Sequence, residues 1–344
     1  MTRLRLASLN LQNLQLPLEP MHPRMKPYSH AEYDKKLAWL AETVQRLDAD
    51  VLALQEVWAP RALRDLFARA GLRDDYTLLT RGPAEGPGNE LSVALAIRKG
   101  CIAGAHQWVS DFPREVVLRK RPQRPPAPEY AMHLAIERFS RPLLRCEVRP
   151  PQGDPLLVFV VHLKSRMPME LDGEEANQGA IARHARTLGR VLSTVRRTAE
   201  AGALRVMLEQ ATMAAARPLV VMGDINDSLG SAVHALLTGD PAWLPDARVP
   251  PSTRPEANLY PVSAFVDARG PAALRPTYVF DGRYDVLDHI FVSAHFHPHA
   301  RCRQWGFRDL RVLGDHLDER GSEEAARVYS DHGALAATFA WDPA

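Results

Sequence analysis

Short, continuous apolar runs bounded by polar or Gly/Pro positions recur along the chain. They predict strands at Leu4–Leu9, Val51–Gln55, Leu91–Ile97, Met132–Glu137, Leu143–Val148, Leu156–His162, Leu219–Gly223, His289–Val292 and Ala334–Phe339. A run without polar alternation suits a strand covered on both faces, as in a layered fold. Helical patterns lie between. From Ala31 to Arg46 and just beyond, Leu37, Leu40, Val44 and Leu47 fall at three- and four-residue spacing, so one face docks on a core. A second helical stretch runs from about Glu174 to Ala216, with Ile181, Leu188, Leu192, Val195, Leu204 and Leu208 as its apolar stripe. That is long for one helix, so a break is expected near Gly202. Its arginines read as a solvated face rather than a nucleic-acid stripe.

Arg119 to Pro128 is basic and proline-rich, which excludes a helix or a central strand. It reads as a surface excursion between paired strands, or as a substrate-facing loop whose charges attract phosphate. The charged segment Leu317 to Arg327 reads as loop or short helix. No internal repeat and no composition break marks a second domain, so one domain is expected over residues 1–344. Strands and helices follow one another with little parallel βαβ regularity, which points to two packed sheets with helices outside.

The composition, 46% hydrophobic and 24% charged over 344 residues, is that of a soluble globular enzyme with a sizeable core. A net charge of +2 neither demands nor excludes a polyanionic partner. No run of about 18 apolar residues is present, so no membrane span is expected. The opening MTRLRLASLNLQNL reads as a first strand rather than a signal peptide. Cys101, Cys146 and Cys302 are far apart and in no metal-ligand spacing, which argues against a disulfide framework. A cytoplasmic protein is the expectation.

Chemistry enters where polar residues end these runs. Asn10 closes RLASLN, where its oxygen can help hold a metal ion or its water; a turn-forming Asn is the plainer reading. Glu56 follows the buried run VLALQ, and a carboxylate there must be paired or coordinated if burial continues. Mg²⁺ takes such oxygens while keeping several waters. Alternation turns the adjacent Gln55 the other way. His162 ends LLVFVVH and Lys164 follows, which suggests contact with an anion.

The most specific motif is PLVVMGDINDS, Pro218 to Ser228. Alternation sends Asp224 and Asn226 to one side: a carboxylate that can align or deprotonate water, and an amide that can bond a developing oxyanion. An Asx-rich turn is its structural alternative. Asp288 and His289 precede another apolar strand, and Ser330-Asp331-His332-Gly333 opens the last one. A carboxylate that accepts a hydrogen bond from one imidazole nitrogen orients the ring and raises its basicity, a service Asp288 can perform for His332. His295, His297 and His299 alternate, yet Pro298 and the lack of carboxylate or cysteine company favour a solvated loop.

Together, in this order, these elements resemble the endonuclease/exonuclease/phosphatase superfamily, over nearly the whole chain from Asn10 to Phe339. The resemblance implies an α/β fold: a four-layer α/β sandwich, two packed mixed β-sheets flanked by helices, with the site at one edge. It implies Mg²⁺ or Mn²⁺ held by Asn10 and Glu56 with Asp331. Asp224 would act on the attacking water and Asn226 on the oxygens of the phosphorus centre. His332, oriented by Asp288, and His162 would clamp the phosphate or assist proton transfer. His162 matches the second histidine of the deoxyribonuclease and sphingomyelinase branches, and makes the abasic-site endonuclease branch a poorer match. Arg141, in FSRPLL, sits where related nucleases place an arginine near the scissile phosphate. Ile225 stands where the family usually has Phe, an apolar exchange of little consequence.

The implied activity is metal-dependent hydrolysis of phosphodiester bonds. An endonuclease acting on nucleic acid is favoured by the second histidine, by Lys164 and Arg166, and by the basic loop from Arg119 to Arg124. A phosphatase or lipid phosphodiesterase of the same superfamily is the alternative. A catalytically silent binding module would lack a metal or base residue, and none is missing.

Overall fold

In a computed structural model the apolar runs become the inner strands of two six-stranded sheets. The structure describes residues 2–23, 25–120, 132–173, 179–239, 258–266, 275–319 and 321–344. The chain begins with β1 (Arg3–Leu14), β2 (Val51–Val57), β3 (Tyr76–Leu79), β4 (Ser92–Arg98) and β5 (Ile102–Asp111). A small hairpin of β6 (Arg119–Lys120) and β7 (Met132–His133) precedes β8 (Arg138–Arg149) and β9 (Leu156–His162). Then come β10 (Leu219–Asp224), β11 (Tyr260–Pro261), and a second hairpin of β12 (Tyr278–Phe280) and β13 (Arg283–Asp285). The chain closes with β14 (Asp288–Val292), β15 (Trp305–Leu313) and β16 (Ala334–Trp341). The helices are α1 (His30–Leu47), α2 (Pro60–Arg69), α3 (Gly179–Ala182), α4 (Ala185–Ala214), α5 (Ala232–Thr238) and α6 (Glu323–Val328).

The first sheet runs β15-β16-β1-β2-β4-β3 and the second β11-β14-β10-β9-β8-β5. Each is mixed. β1 and β2 are parallel at the centre of one, β9 and β10 at the centre of the other, and the remaining pairs are antiparallel. Three apolar seams bind the four layers. Leu9, Leu52 and Leu54 meet Leu37, Leu40 and Phe67 between the first sheet and α1 and α2. Leu6, Val51 and Phe339 meet Val158, Val160 and Met222 between the sheets. Phe159, Val221 and Phe291 meet Leu204, Leu208 and Leu237 beneath α4 and α5. Each large side chain so buried contributes roughly 1.5–3 kcal/mol. The expected four-layer α/β sandwich is observed.

The inner strands match the predicted runs; the differences lie at the margins. All four sheet edges, β15, β3, β11 and β5, fall outside those runs. Edge strands keep one rim solvated, and β5 has exposed or half-buried side chains throughout, so no continuous apolar run marks it. The run predicted at Met132–Glu137 pairs only at Met132–His133, and the long strand begins at Arg138. It passes through Pro142, tolerated because the pairing with the edge strand β5 shifts register there. No break occurs at Gly202. α4 runs unbroken from Ala185 to Ala214, since a Cβ at Gly202 would meet open space and nothing forces a kink. Gly189 is the constrained glycine of this helix, because a Cβ there would lie 2.2 Å from the Met169 carbonyl oxygen. Residues 174–178 and most of the basic proline-rich loop lie outside the described residues.

Elsewhere, His295 enters a short 3-10 turn while His297 is buried against the Tyr260 ring, so the three alternating histidines do not share a strand face. All three cysteines are free. Among the described residues no helix is long and apolar enough to cross a membrane.

α1 starts with a capping box. Ser29 Oγ accepts from the Glu32 amide, and the Glu32 carboxylate accepts from the Ser29 amide. The same carboxylate accepts from the Arg327 guanidinium, clipping α1 to α6 just before Ser330. Arg327 is the main reason that the Glu32 carboxyl is held down at about 2. A depressed carboxyl stabilises the fold fully above its unfolded value, near 4.5, and that contribution drains as pH falls towards about 2. Denaturant unfolding measured across this range should show the acid-side loss in the native protein and a flatter profile in Arg327→Ala.

Candidate active site

In each sheet the central parallel pair points its carboxyl ends the same way, and an open crevice beyond such ends is where α/β sheets bind ligands. Here β1 carries Asn10, β2 Glu56, β9 His162 and β10 Asp224 at or near those ends. β14 enters antiparallel beside β10, with Asp288 opposite Asp224. Ser330 to Gly333 lead into β16 beside β1.

Local irregularities aim the side chains. β1 does not stop at Asn10. It continues to Leu14 through Gln12 and Asn13, both at positive φ, in a bulge against β2. Glu56 lies inside β2, also left-handed at φ 62°, so simple alternation fails for it. Gln55 is buried, and its side-chain oxygen accepts from Ser8 Oγ at 3.2 Å. Glu56 is brought to Asn10, whose amide donates to Glu56 Oε1 at 3.1 Å and to Asp224 Oδ2 at 3.3 Å. The Asn13 backbone N–H donates to Glu56 Oε2 at 2.9 Å. Gly223 lets β10 approach β9: at φ +144°, a Cβ there would lie 2.0 Å from the Val161 carbonyl oxygen.

Asp224 is the hub. His162 Nε2 lies 3.5 Å and His332 Nε2 3.7 Å from its Oδ2. His332 Nδ1 is 2.8 Å from Asp288 Oδ2, the orienting pair expected from the sequence. All four groups are buried. Burial raises Asp224 most, offset in part by His332 and reinforced by Asp288 and Glu56. Burial would lower His332, but the charges of Asp288 and Asp224 and the Asp288 hydrogen bond hold it well above its ordinary value. His162 is held well below by burial, then by the charges of Arg141, His332 and Lys164. The two imidazoles that converge on one oxygen are therefore pushed in opposite directions, His332 towards its protonated form and His162 towards its neutral one.

The other expected residues sit around this hub. Asn226, at φ 54°, donates its backbone N–H to Asp224 Oδ1 at 2.7 Å and its amide to the Leu163 carbonyl at 3.1 Å. It thus orients Asp224 and ties β9 to β10. Arg141 lies within β8 and donates to the same Leu163 carbonyl at 3.0 Å. Lys164 Nζ donates to Ser165 Oγ at 3.1 Å; burial and the nearby Arg141 bring its pKa down to about 8. Arg166 is committed to Asp285 and Asp227. Asp331 is half-buried, and its carbonyl accepts from the Val279 amide at 3.2 Å. His289 faces away, hydrogen-bonded to the Asp227 and Val286 carbonyls.

Two positioning residues went unassigned in the sequence. Thr277 Oγ1 accepts from the amides of Leu287 and Asp288 at 3.0 and 3.1 Å, fixing the acid that orients His332. Ser330 Oγ donates to the Asn10 carbonyl at 2.8 Å and accepts from the His332 amide at 3.1 Å. The Asp281-Gly282 turn signal between apolar residues marks the hairpin that carries Thr277, and would have located it.

A model of the Endonuclease/Exonuclease/phosphatase family matches residues 7–332. The chain belongs to this family of hydrolytic phosphoesterases. No curated sequence matches closely enough to count as a relative. Among solved structures, an endonuclease/exonuclease/phosphatase from Bacteroides vulgatus is similar at a TM-score of 0.54 and 14% identity, over 99% of this chain and 100% of that one. D. rerio TDP2 complexed with single strand DNA product is similar at 0.53 and 16% identity, over 99% and 100%. The Bacteroides thetaiotaomicron mannosyl-6-phosphatase is similar at 0.53 and 16% identity, over 98% and 100%. At these identities the likeness is one of fold.

Enzymes of the family typically use divalent metals, and the donor set here fits one. Glu56, Asp224 and Asp288 gather around one small volume, and their mutual repulsion, added to burial, raises Asp224. Asp288 Oδ1 is buried without a hydrogen-bond partner. Oxygen-rich, anion-crowded surroundings suit a hard cation. Among the described residues, ligand atoms of Asp224, Asp288 and His332 lie within 4.8 Å of one another.

The electrostatic assignment can be read directly. Asp288→Asn should bring the His332 pKa down towards its ordinary value, as followed by imidazole NMR titration against pH. An unchanged titration would show that Asp288 does not sustain the cation.

Proposed function

We propose that this protein is a Mg²⁺- or Mn²⁺-dependent phosphodiesterase acting on nucleic acid, an endonuclease in the broad sense. The observation that carries the reading is the convergence of His162 Nε2 and His332 Nε2 on Asp224 Oδ2, at 3.5 and 3.7 Å. Two imidazoles shifted in opposite directions and facing one carboxylate can embrace a phosphoryl group and a water together. Asp224 aligns the attacking water and takes its proton. The His332 imidazolium, held by Asp288, donates to a phosphoryl oxygen where negative charge grows. His162, neutral, shares the opposite side. Asn226 keeps Asp224 in place.

Glu56 and Asn10, with Asp331, would hold the ion. They are favoured over the Asp224–Asp288–His332 group because they can offer oxygen donors alone, which Mg²⁺ and Mn²⁺ prefer to an imidazole. A divalent ion there supplies Lewis-acid stabilisation of phosphoryl charge and of the leaving group. Arg141 and Lys164 place positive charge on the β8–β9 side, suited to a flanking phosphate. A phosphatase is the second reading, supported by the phosphatase of similar fold.

His332→Ala should reduce turnover about 10²–10⁴-fold, with folding intact by circular dichroism. Near-native turnover would remove His332 from the chemistry. EDTA should abolish hydrolysis, and Mg²⁺ or Mn²⁺ should restore it; hydrolysis that resists chelation would refute the metal dependence. Plasmid DNA, RNA, bis(p-nitrophenyl) phosphate and a phosphomonoester assayed in parallel separate the two readings, because cleavage of the monoester alone would overturn the first.

A further inference from the structure

The β12–β13 hairpin stands directly on the candidate site. Its first strand bridges to the last loop, Tyr278 pairing with His332. The hairpin turns at Asp281 and Gly282, both at positive φ, as a tight two-residue turn requires. Its register sets Tyr278 opposite Asp285 and Phe280 opposite Arg283. Side chains alternate along a strand and cross-strand partners share a side, so one face carries Tyr278, Phe280, Arg283 and Asp285.

That face continues the catalytic row outward. The Tyr278 ring packs 4.8 Å from the His332 ring, and the Phe280 ring follows at 6.5 Å, nearly parallel at 5°. Phe280 is 58% exposed, far more than a large apolar side chain with only a packing role needs. Arg283, across from it, is exposed as well. The one acid on the face, Asp285, is neutralised by Arg166 at 2.6 Å and bonded by Ser228 Oγ at 2.8 Å, so it does not repel an anion.

We infer that this hairpin face is a docking platform for single-stranded nucleic acid, with an unpaired base stacked on Phe280 and a backbone phosphate on Arg283. The inference rests on the nucleic-acid reading above and narrows it to unpaired strands. Stacking on a protein ring needs a base whose flat face is open, and in a duplex both faces are covered by neighbours. A ring with one guanidinium across from it offers a contact for a base and another for the adjoining phosphate. A sugar phosphate without a base would leave Phe280 uncovered.

The test is equilibrium binding, so that it does not depend on turnover. Fluorescein-labelled oligothymidylate, and a strand of the same length built from abasic tetrahydrofuran residues, are titrated in EDTA and followed by anisotropy. The native protein should bind the base-bearing strand about 5- to 100-fold more tightly than the abasic one. Phe280→Ala should erase that preference and Phe280→Trp should keep it. Arg283→Ala should weaken both strands alike and lower the slope of log affinity against log salt by roughly 1.

Equal binding of the two strands by the native protein, or an unchanged preference in Phe280→Ala, would overturn the platform. If either result came with metal-dependent cleavage of nucleic acid, the platform alone would fail and the wider reading would stand. If no strand were bound and only phosphomonoesters were cleaved, both would fail together.

Discussion

The burial of the Asp224 carboxylate between two imidazoles is the constraint on which the rest of this structure turns. A carboxylate out of water is costly unless neighbours compensate, and here compensation comes from three other chain segments and from the turn that follows β10 itself. His332 and His162 approach its outer oxygen, Asn10 donates to the same oxygen, and the Asn226 backbone N–H donates to the other. Each partner rides on a different strand or loop, so the site exists only when both sheets are formed and packed face to face. The apolar seam between the sheets, with Leu6, Val51, Val160 and Met222, is therefore also the device that sets the distances within the candidate site.

Backbone strain gathers around the same point. Of the seven non-glycine residues at positive φ among the described residues, Gln12, Asn13, Glu56 and Asn226 belong to the rim of the site. Such conformations cost of order 1–3 kcal/mol each and persist where surrounding contacts over-determine them. The contacts are visible. Asn13 receives the Trp58 indole N–H and gives its amide to Glu56, while the Gln12 carbonyl accepts from the buried Tyr28 hydroxyl. Straight strands would have kept Glu56 on its regular alternating side; paired bulges turn it to Asn10. The second layer, Thr277 beneath Asp288 and Ser330 between Asn10 and His332, fixes the orienting acid and the last loop with hydroxyls that satisfy buried amides.

The inner strands were legible because burial on both faces writes an unbroken apolar run, as in LLVFVVH and LVVMGD. The edges β15, β3, β11 and β5 were not, because a strand wet on one rim carries mixed polarity indistinguishable from loop. Helix length was legible within limits: α1 lies within two residues of its pattern, whereas the break expected at Gly202 did not occur. A glycine lowers helix propensity, but with open space around it nothing in the packing uses that freedom. The polar residues at or near strand ends that meet in the candidate site, Asn10, Glu56, His162, Asp224, Asp288 and His332, were identifiable by type and place. Thr277 and Ser330 were given no role, since a hydroxyl that serves buried amides has no distinctive spacing, although the Asp281-Gly282 turn and the Ser-Asp-His-Gly run mark where they lie.

What the sequence by itself determined is the set of chemical groups and the kind of scaffold that offers them, because strand burial and motif order are local properties of the chain. What only the tertiary structure decided is which groups meet. That Asp224 faces both histidines, that Asp288 is spent on His332 rather than left free, and that Arg166 is tied to Asp227 and Asp285 follow from how two twisted sheets are stacked. Titration shifts followed in turn. The same residue type is pushed towards the cation at His332 and towards the neutral form at His162, because the charges that other strands bring beside each buried ring are opposite in sign.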